Sequence, residues 1–257
     1  MLMKSKMNKK SFFTKVFTIC FCVISFALVV SMADIFSSLI TVGGFSFVNE
    51  NISANEYSVY AICTSNHPTK LLAEEFAEDI KKQGGAGCVY MNEQSYYIIA
   101  SIYETESDAQ KVKNNLIESK PNVSIQKLVI PKITISSNLT TQEKNTVMNC
   151  ISIFKTSYQK LYDISVSLDT NVETEVGARL LVNELNSELG TIYNNFNTLF
   201  SDNLSTDLLR IKLAIEELKN HLQTLIDASG TVTYSAYVKE CYCKIIMSYK
   251  SLAESFN

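Results

Sequence analysis

The chain has no tryptophan, only three prolines and only two histidines, His67 and His221. No glycine-rich phosphate loop, no His/Glu metal motif and no G-x-S-x-G nucleophile elbow occurs in it. Neighbouring carboxylates such as Glu74 with Glu75, or Glu216 with Glu217, are adjacent on expected helices. They diverge there and cannot flank one scissile bond. The sequence therefore offers little for catalysis, for a metal or for a cofactor, and the expectation is a non-enzyme with no bound cofactor. A second absence concerns charge: Val16 to Ala33 contains no charged residue, and no acidic residue precedes Asp34. A third is the lack of proline after Pro131, which leaves the carboxyl-terminal half free to form long helices.

Five lysines (Lys4, Lys6, Lys9, Lys10 and Lys15) crowd the first 15 residues ahead of the uncharged stretch. Residues 16–33 reach the lower end of what spans a bilayer core. The positive-inside bias then places the amino terminus in the cytoplasm and everything after the span outside. Ser31, Met32 and Ala33 form a small-x-small pattern that would suit cleavage before Asp34. Retention as an anchor is the preferred reading, because Ile35 to Val48 stays apolar and would form a greasy new terminus. From Asp34 onward 18 basic and 26 acidic residues remain, so the exported part is acidic and nucleic acid is not an expected partner.

Between Tyr57 and Ile130 one pattern occurs twice. Tyr57 to Ile80 and Tyr96 to Leu116 each open on an aromatic and β-branched run and end in a helix-spaced apolar set: Leu72, Ala73, Phe76, Ala77 and Ile80, then Ala109, Val112 and Leu116. Gly87 to Met91 and Asn122 to Ile130 read as two more strands. The order is β-α-β-β-α-β, the split βαβ or ferredoxin-like motif. Beyond Pro131, helices are expected at about 141–166, 173–199, 205–227 and 232–254. The clearest stripe is Leu208, Ile211, Ile215, Leu218, Leu222 and Leu225, with Ser205 or Thr206 as cap. The expected fold class is thus α+β: a transmembrane helix at 16–33 after a basic segment at 1–15, a linker at 34–54, a split βαβ domain at 55–131 and an all-α bundle at 140–257.

The second repeat, with Tyr97, Ser101, Tyr103, Glu104, Glu106, Ser107, Asp108 and Ala109, resembles the SPOR domain, a small peptidoglycan-binding module of bacterial division and sporulation proteins. The first repeat departs from that family, which often has a polar Gln within strand one and Gly-aromatic at its end. Here Tyr60 is followed by Ala61, Ile62 and Cys63. The resemblance implies a protein that binds peptidoglycan glycan strands and localises to a division or sporulation septum. The membrane would be its second contact, and an envelope protein would meet the helical domain.

Strand alternation turns Val59 and Ala61 toward the covering helices and leaves Ser58, Tyr60, Ile62, Tyr97, Ile99 and Ser101 on the open face, as glycan-binding candidates. Tyrosine suits a sugar, since its ring stacks on a pyranose and its hydroxyl bonds the edge. Two alternatives stand beside this one. The bundle or the 35–48 segment packs over that face and makes the same residues core; or the βαβ domain makes protein contacts in a membrane-associated complex, as a structural or assembly protein. Of the cysteines, Cys63, Cys88, Cys150, Cys241 and Cys243 follow the span. An oxidising exterior permits a Cys63–Cys88 disulfide, although their strands are not usual neighbours, and buried free thiols are the expected state.

Overall fold

A computed structural model of the chain describes residues 51–92, 95–116, 122–136, 139–201 and 204–257. The expected basic segment, membrane span and most of the linker lie outside them. Among the described residues no helix is long and apolar enough to cross a membrane. The fold is α+β, with six helices and two antiparallel sheets among the described residues.

Strand β1 (Asn51–Ala54) is followed by β2 (Tyr57–His67), helix α1 (Lys70–Lys82), β3 (Cys88–Asn92), β4 (Ser95–Tyr103), helix α2 (Glu106–Leu116), β5 (Ser124–Ile130) and β6 (Ile133–Ser136). The larger sheet runs β3-β4-β2-β5, so the two strands flanking each helix lie apart with another strand between them. β2 pairs with β4 from Tyr60↔Tyr103 to His67↔Tyr96 and with β5 from Tyr57↔Ile130 to Cys63↔Ser124. Two irregularities, at Ile62/Cys63 and Cys63/Ser65, interrupt the β2–β4 register. β1 and β6 form a separate ribbon, Asn51↔Ser136 to Ala54↔Ile133. The last residues of the expected linker are thus a strand.

Local chemistry accounts for the helix ends. Thr69 caps α1 by accepting from the Leu72 amide, and Lys81 and Lys82 in the last turn suit the negative end of its dipole. Gly84, at φ +87°, closes it in the left-handed region. Four longer helices follow: α3 (Thr141–Asp169), α4 (Glu175–Leu199), α5 (Thr206–Ile226) and α6 (Tyr234–Glu254). Thr140 and Glu143 form a complete capping box on α3. Thr174 and Ser205 cap α4 and α5. All six residues of the Leu208–Leu225 stripe are buried.

Helix α6 is buried over most of its circumference, with Glu240, Lys244 and Ser251 on the remaining face. Val238, Cys241, Tyr242, Cys243, Ile245, Ile246 and Leu252 are all buried, which is the signature of a helix with neighbours on more than one side. It packs on α3 and α5 and also on β3, β4 and β5. Each large aliphatic side chain so buried contributes on the order of 1.5–3 kcal/mol. The main core consequently runs through both the larger sheet and the four long helices, and the described residues fall in one compact unit.

Candidate functional site

Neighbouring residues show what covers each face of the sheet. Ala61 packs in the main core with the long helices, whereas Ile62 packs with Ala109 and Val112 of α2. Ile99 likewise lies in the main core, while Ile98 packs with Ala73 and Ala77 of α1. Since successive strand residues point to opposite faces, α1 and α2 cover one face and the long helices cover the other. Neither face is open.

The six candidate residues therefore do not share one exposed surface, and that expectation is corrected. Tyr60 and Ile62 lie under α2. Tyr97 and Ile99 lie on the side of the long helices. Ser58 is half-buried opposite Val129 of β5, and Ser101 places its hydroxyl 2.8 Å from that of Tyr242. Val59 and Ala61 do point toward helices, but toward the carboxyl-terminal ones. The register irregularities after Ile62 add a second reason, because strict alternation cannot be carried through them.

The sheet meets the long helices through a cluster of tyrosines. β3 pairs with β4 only as far as Ile99, and one further bond, from the Ala86 amide to the Ala100 carbonyl, extends the ladder. Beyond it β4 has a bare edge, and tyrosines cover it. Tyr158 donates its hydroxyl to the Ile102 carbonyl at 3.4 Å, and Tyr242 makes a backbone hydrogen bond to Ile102. Tyr158 and Tyr242 meet edge to face at 5.7 Å, as do Tyr103 and Tyr162 at 6.0 Å. Burial holds the Tyr158 and Tyr242 phenols far above their ordinary range, so both stay protonated. Unpaired strand edges invite foreign strands, and these hydroxyls close this one from within.

Charged groups fasten the same junction. Lys239 pairs with Asp169 at 2.6 Å and donates to the Gly84 carbonyl at 2.8 Å. Glu240, next to it on α6, takes Lys81 of α1 at 3.1 Å and Lys244 at 2.8 Å. These groups tie the turn before β3 to α3 and α6.

Both histidines are held by neighbouring side chains. His221 Nε2 lies 3.2 Å from Ser248 Oγ and 3.6 Å from Glu217 Oε1. A nucleophile relay needs the acid and the hydroxyl on opposite ring nitrogens, and here both address the same one. His67 stacks on Phe76 at 4.7 Å and bonds the Ser65 hydroxyl. Among the described residues no three ligating side chains converge as a metal site would require. All five described cysteines are free and buried. Cys63 and Cys88 both lie in register with Ile99, on strands either side of it. Two strand spacings of about 4.8 Å exceed the reach of a disulfide.

Sequence reasoning missed Tyr158 and Tyr242. The signal that could have found them is the breadth of the apolar face of Tyr234 to Ala253, which one bundle stripe cannot satisfy and which calls for a second neighbour. No family model, no curated protein and no solved structure matches the chain.

Proposed function

We propose that this chain is a non-enzymatic assembly protein of a membrane-associated complex in the cell envelope. Val16–Ala33 serves as its anchor, and the part from Asp34 onward works outside the cytoplasm. In this reading β2 to β5 with α1 and α2 form a split βαβ, ferredoxin-like unit used as half of a rigid platform, not as a free glycan reader. The observation that carries it is the covering of the sheet by α6: Ile99 is fully buried there and Ser101 is bonded to Tyr242. A pyranose needs an aromatic ring with one face open. Apolar side chains displayed on the helices support the same reading, among them Leu71 at 76% and Leu180 at 61% exposure.

Co-sedimentation with insoluble peptidoglycan tests it. The full chain in mild detergent is spun with native sacculi and with sacculi stripped of stem peptides by amidase. The expected outcome is no retention on either, together with migration from cross-linked membranes in a species larger than its own 28.8 kDa. Retention that rises after stripping would overturn the assembly reading and restore the SPOR-like glycan function.

A further inference from the structure

The corner joining α3 to α4 presents an apolar stripe that none of the described residues covers. Val172, Val176 and Leu180 follow one another at helical spacing and are 80%, 71% and 61% exposed, with Leu181 and Val166 exposed beside them. The corner is firmly built. Asn171 takes a φ of 55°, and the Val172 and Glu173 amides both donate to the Ser167 carbonyl, at 2.9 and 3.1 Å. Thr174 then caps α4. Val172 is thus displayed by a hydrogen-bonded turn.

The charges around the stripe are mostly acidic. Asp169, Glu173 and Glu175 at this corner, Glu184 further along α4 and Asp227 at the end of α5 outnumber the cations Arg179 and Lys239. Both cations are engaged. Arg179 pairs with Glu175 at 2.8 Å, donates to the Ile226 and Ala228 carbonyls at 3.0 and 2.7 Å, and lies over the Tyr234 ring at 4.1 Å. Lys239 is held by Asp169 and the Gly84 carbonyl. Glu173, Glu184 and Asp227 have no cationic partner among the described residues. The Glu173 carboxylate folds over Gly177, where any side chain would collide with it at 2.1 Å. Its charge is therefore fixed beside Val176.

We infer that this stripe is the docking surface for a basic amphipathic helix of a partner protein, whose apolar face covers Val172, Val176 and Leu180 and whose lysines or arginines meet Glu173 and Glu184. This deepens the assembly reading and rests on it. A second copy of the chain fits poorly. Antiparallel pairing through the stripe sets Glu184 of one copy beside Val172 and Glu173 of the other, and parallel pairing sets each acid against itself. Complementary charge gives such contacts their orientation and selectivity.

The test uses the full chain in phosphatidylcholine nanodiscs, with empty nanodiscs as the blank. The probe is a synthetic amphipathic helix of leucine and lysine, followed by fluorescence anisotropy against its leucine and glutamate counterpart. The expected result is binding of the lysine probe alone, weakening with salt, and a loss of at least about tenfold in V176D/L180D. L209D/L213D, which alters the exposed leucines of α5, should bind as the parent does. Asp at position 176 lies in the first turn of α4, where the helix dipole tolerates it. E173Q/E184Q keeps the stripe and should weaken binding and flatten its salt dependence.

Equal binding by V176D/L180D, binding of both probes, or binding of neither would overturn the inference. So would self-association that V176D/L180D abolishes, which would assign the stripe to a second copy. Any of these leaves an assembly protein with its contact elsewhere, whereas retention on peptidoglycan would remove the assembly reading itself.

Discussion

Ser101 Oγ of β4 and the Tyr242 hydroxyl of α6 lie 2.8 Å apart although 141 residues separate them in sequence. Their bond sits where the bare edge of β4 meets the tyrosine cluster, so it reports directly on how firmly the sheet and the long helices are joined.

Tyr242→Phe removes this bond and the contact with Ile102 while keeping the ring. Burial of an unsatisfied hydroxyl and amide should lower stability by about 1–3 kcal/mol. Ser101→Ala alone should cost less. The double variant should cost less than the sum, because both single changes remove the same bond. Denaturant titration of the four proteins checks this, and strict additivity would show that the hydroxyls do not interact.

Glycine substitutions separate backbone strain from helix propensity. Gly87 has φ +56°, and a Cβ there would lie 2.3 Å from the Ala77 carbonyl oxygen. Gly87→Ala should destabilise by at least about 2 kcal/mol. Gly190 lies within α4 with nothing inside 4 Å of a built Cβ. Gly190→Ala should stabilise by roughly 0.5–1 kcal/mol. Thermal melts of the two variants should move in opposite directions.

The thiols should be inert in the native state. Burial pushes Cys63, Cys88 and Cys150 up to about 12, and it raises Cys241 and Cys243 as well. At pH 8 iodoacetamide should leave all five unmodified until denaturant is added, as intact-mass spectrometry would show. Their stabilising contribution is complete below the ordinary thiol value of 9.0 and is lost as pH rises from there toward about 12, since only the unfolded chain ionises in that window. Rapid native labelling of any of the five would contradict this burial.

His221 sets an acid limit. Burial holds its imidazole below the ordinary 6.5, with Lys244 acting in the same direction and Glu217 and Glu240 opposing. The unfolded chain takes up the proton first, so stability is full above about pH 6.5 and falls as pH drops toward the lowered native value. His221→Gln retains a donor for Ser248 and should remove that part of the slope. Melting temperatures on either side of pH 6.5 decide it, and an unchanged slope would assign the acid sensitivity to other groups.

Much of the secondary structure was legible because its signals are local. Thr140 with Glu143, Ser205 before the Leu208 stripe, and the alternation through Tyr57–Ala61 each lie within a few residues. Expected and observed helix ends agree within three residues, for example 232–254 against Tyr234–Glu254. The four-residue strands β1 and β6 carry too short a pattern to be seen, and they pair across about eighty residues of intervening chain. The candidate site failed on a non-local question. Alternation gives two faces, but it does not say which of two sets of helices covers each one. Only the excess apolarity of α6 bears on that, and it speaks about α6 and not about Tyr60 or Tyr97.

The β1–β6 ribbon has a mechanical consequence. Asn51, where the described chain begins, lies opposite Ser136, from which the chain continues toward α3. A pull on the chain ahead of Asn51 passes across the end of the ribbon to the long helices and bypasses the four-stranded sheet. Because the loaded ends are adjacent, the four residue pairs from Asn51↔Ser136 to Ala54↔Ile133 would open in sequence, as a zipper does, and not together in shear. Ile52, Ala54, Ile133 and Ile135 of the ribbon are buried in the main core, so its opening would also strip apolar surface from the long helices. The ribbon therefore resists as part of the folded body, and it takes the load before the tyrosine-sealed junction between β4 and α6 does.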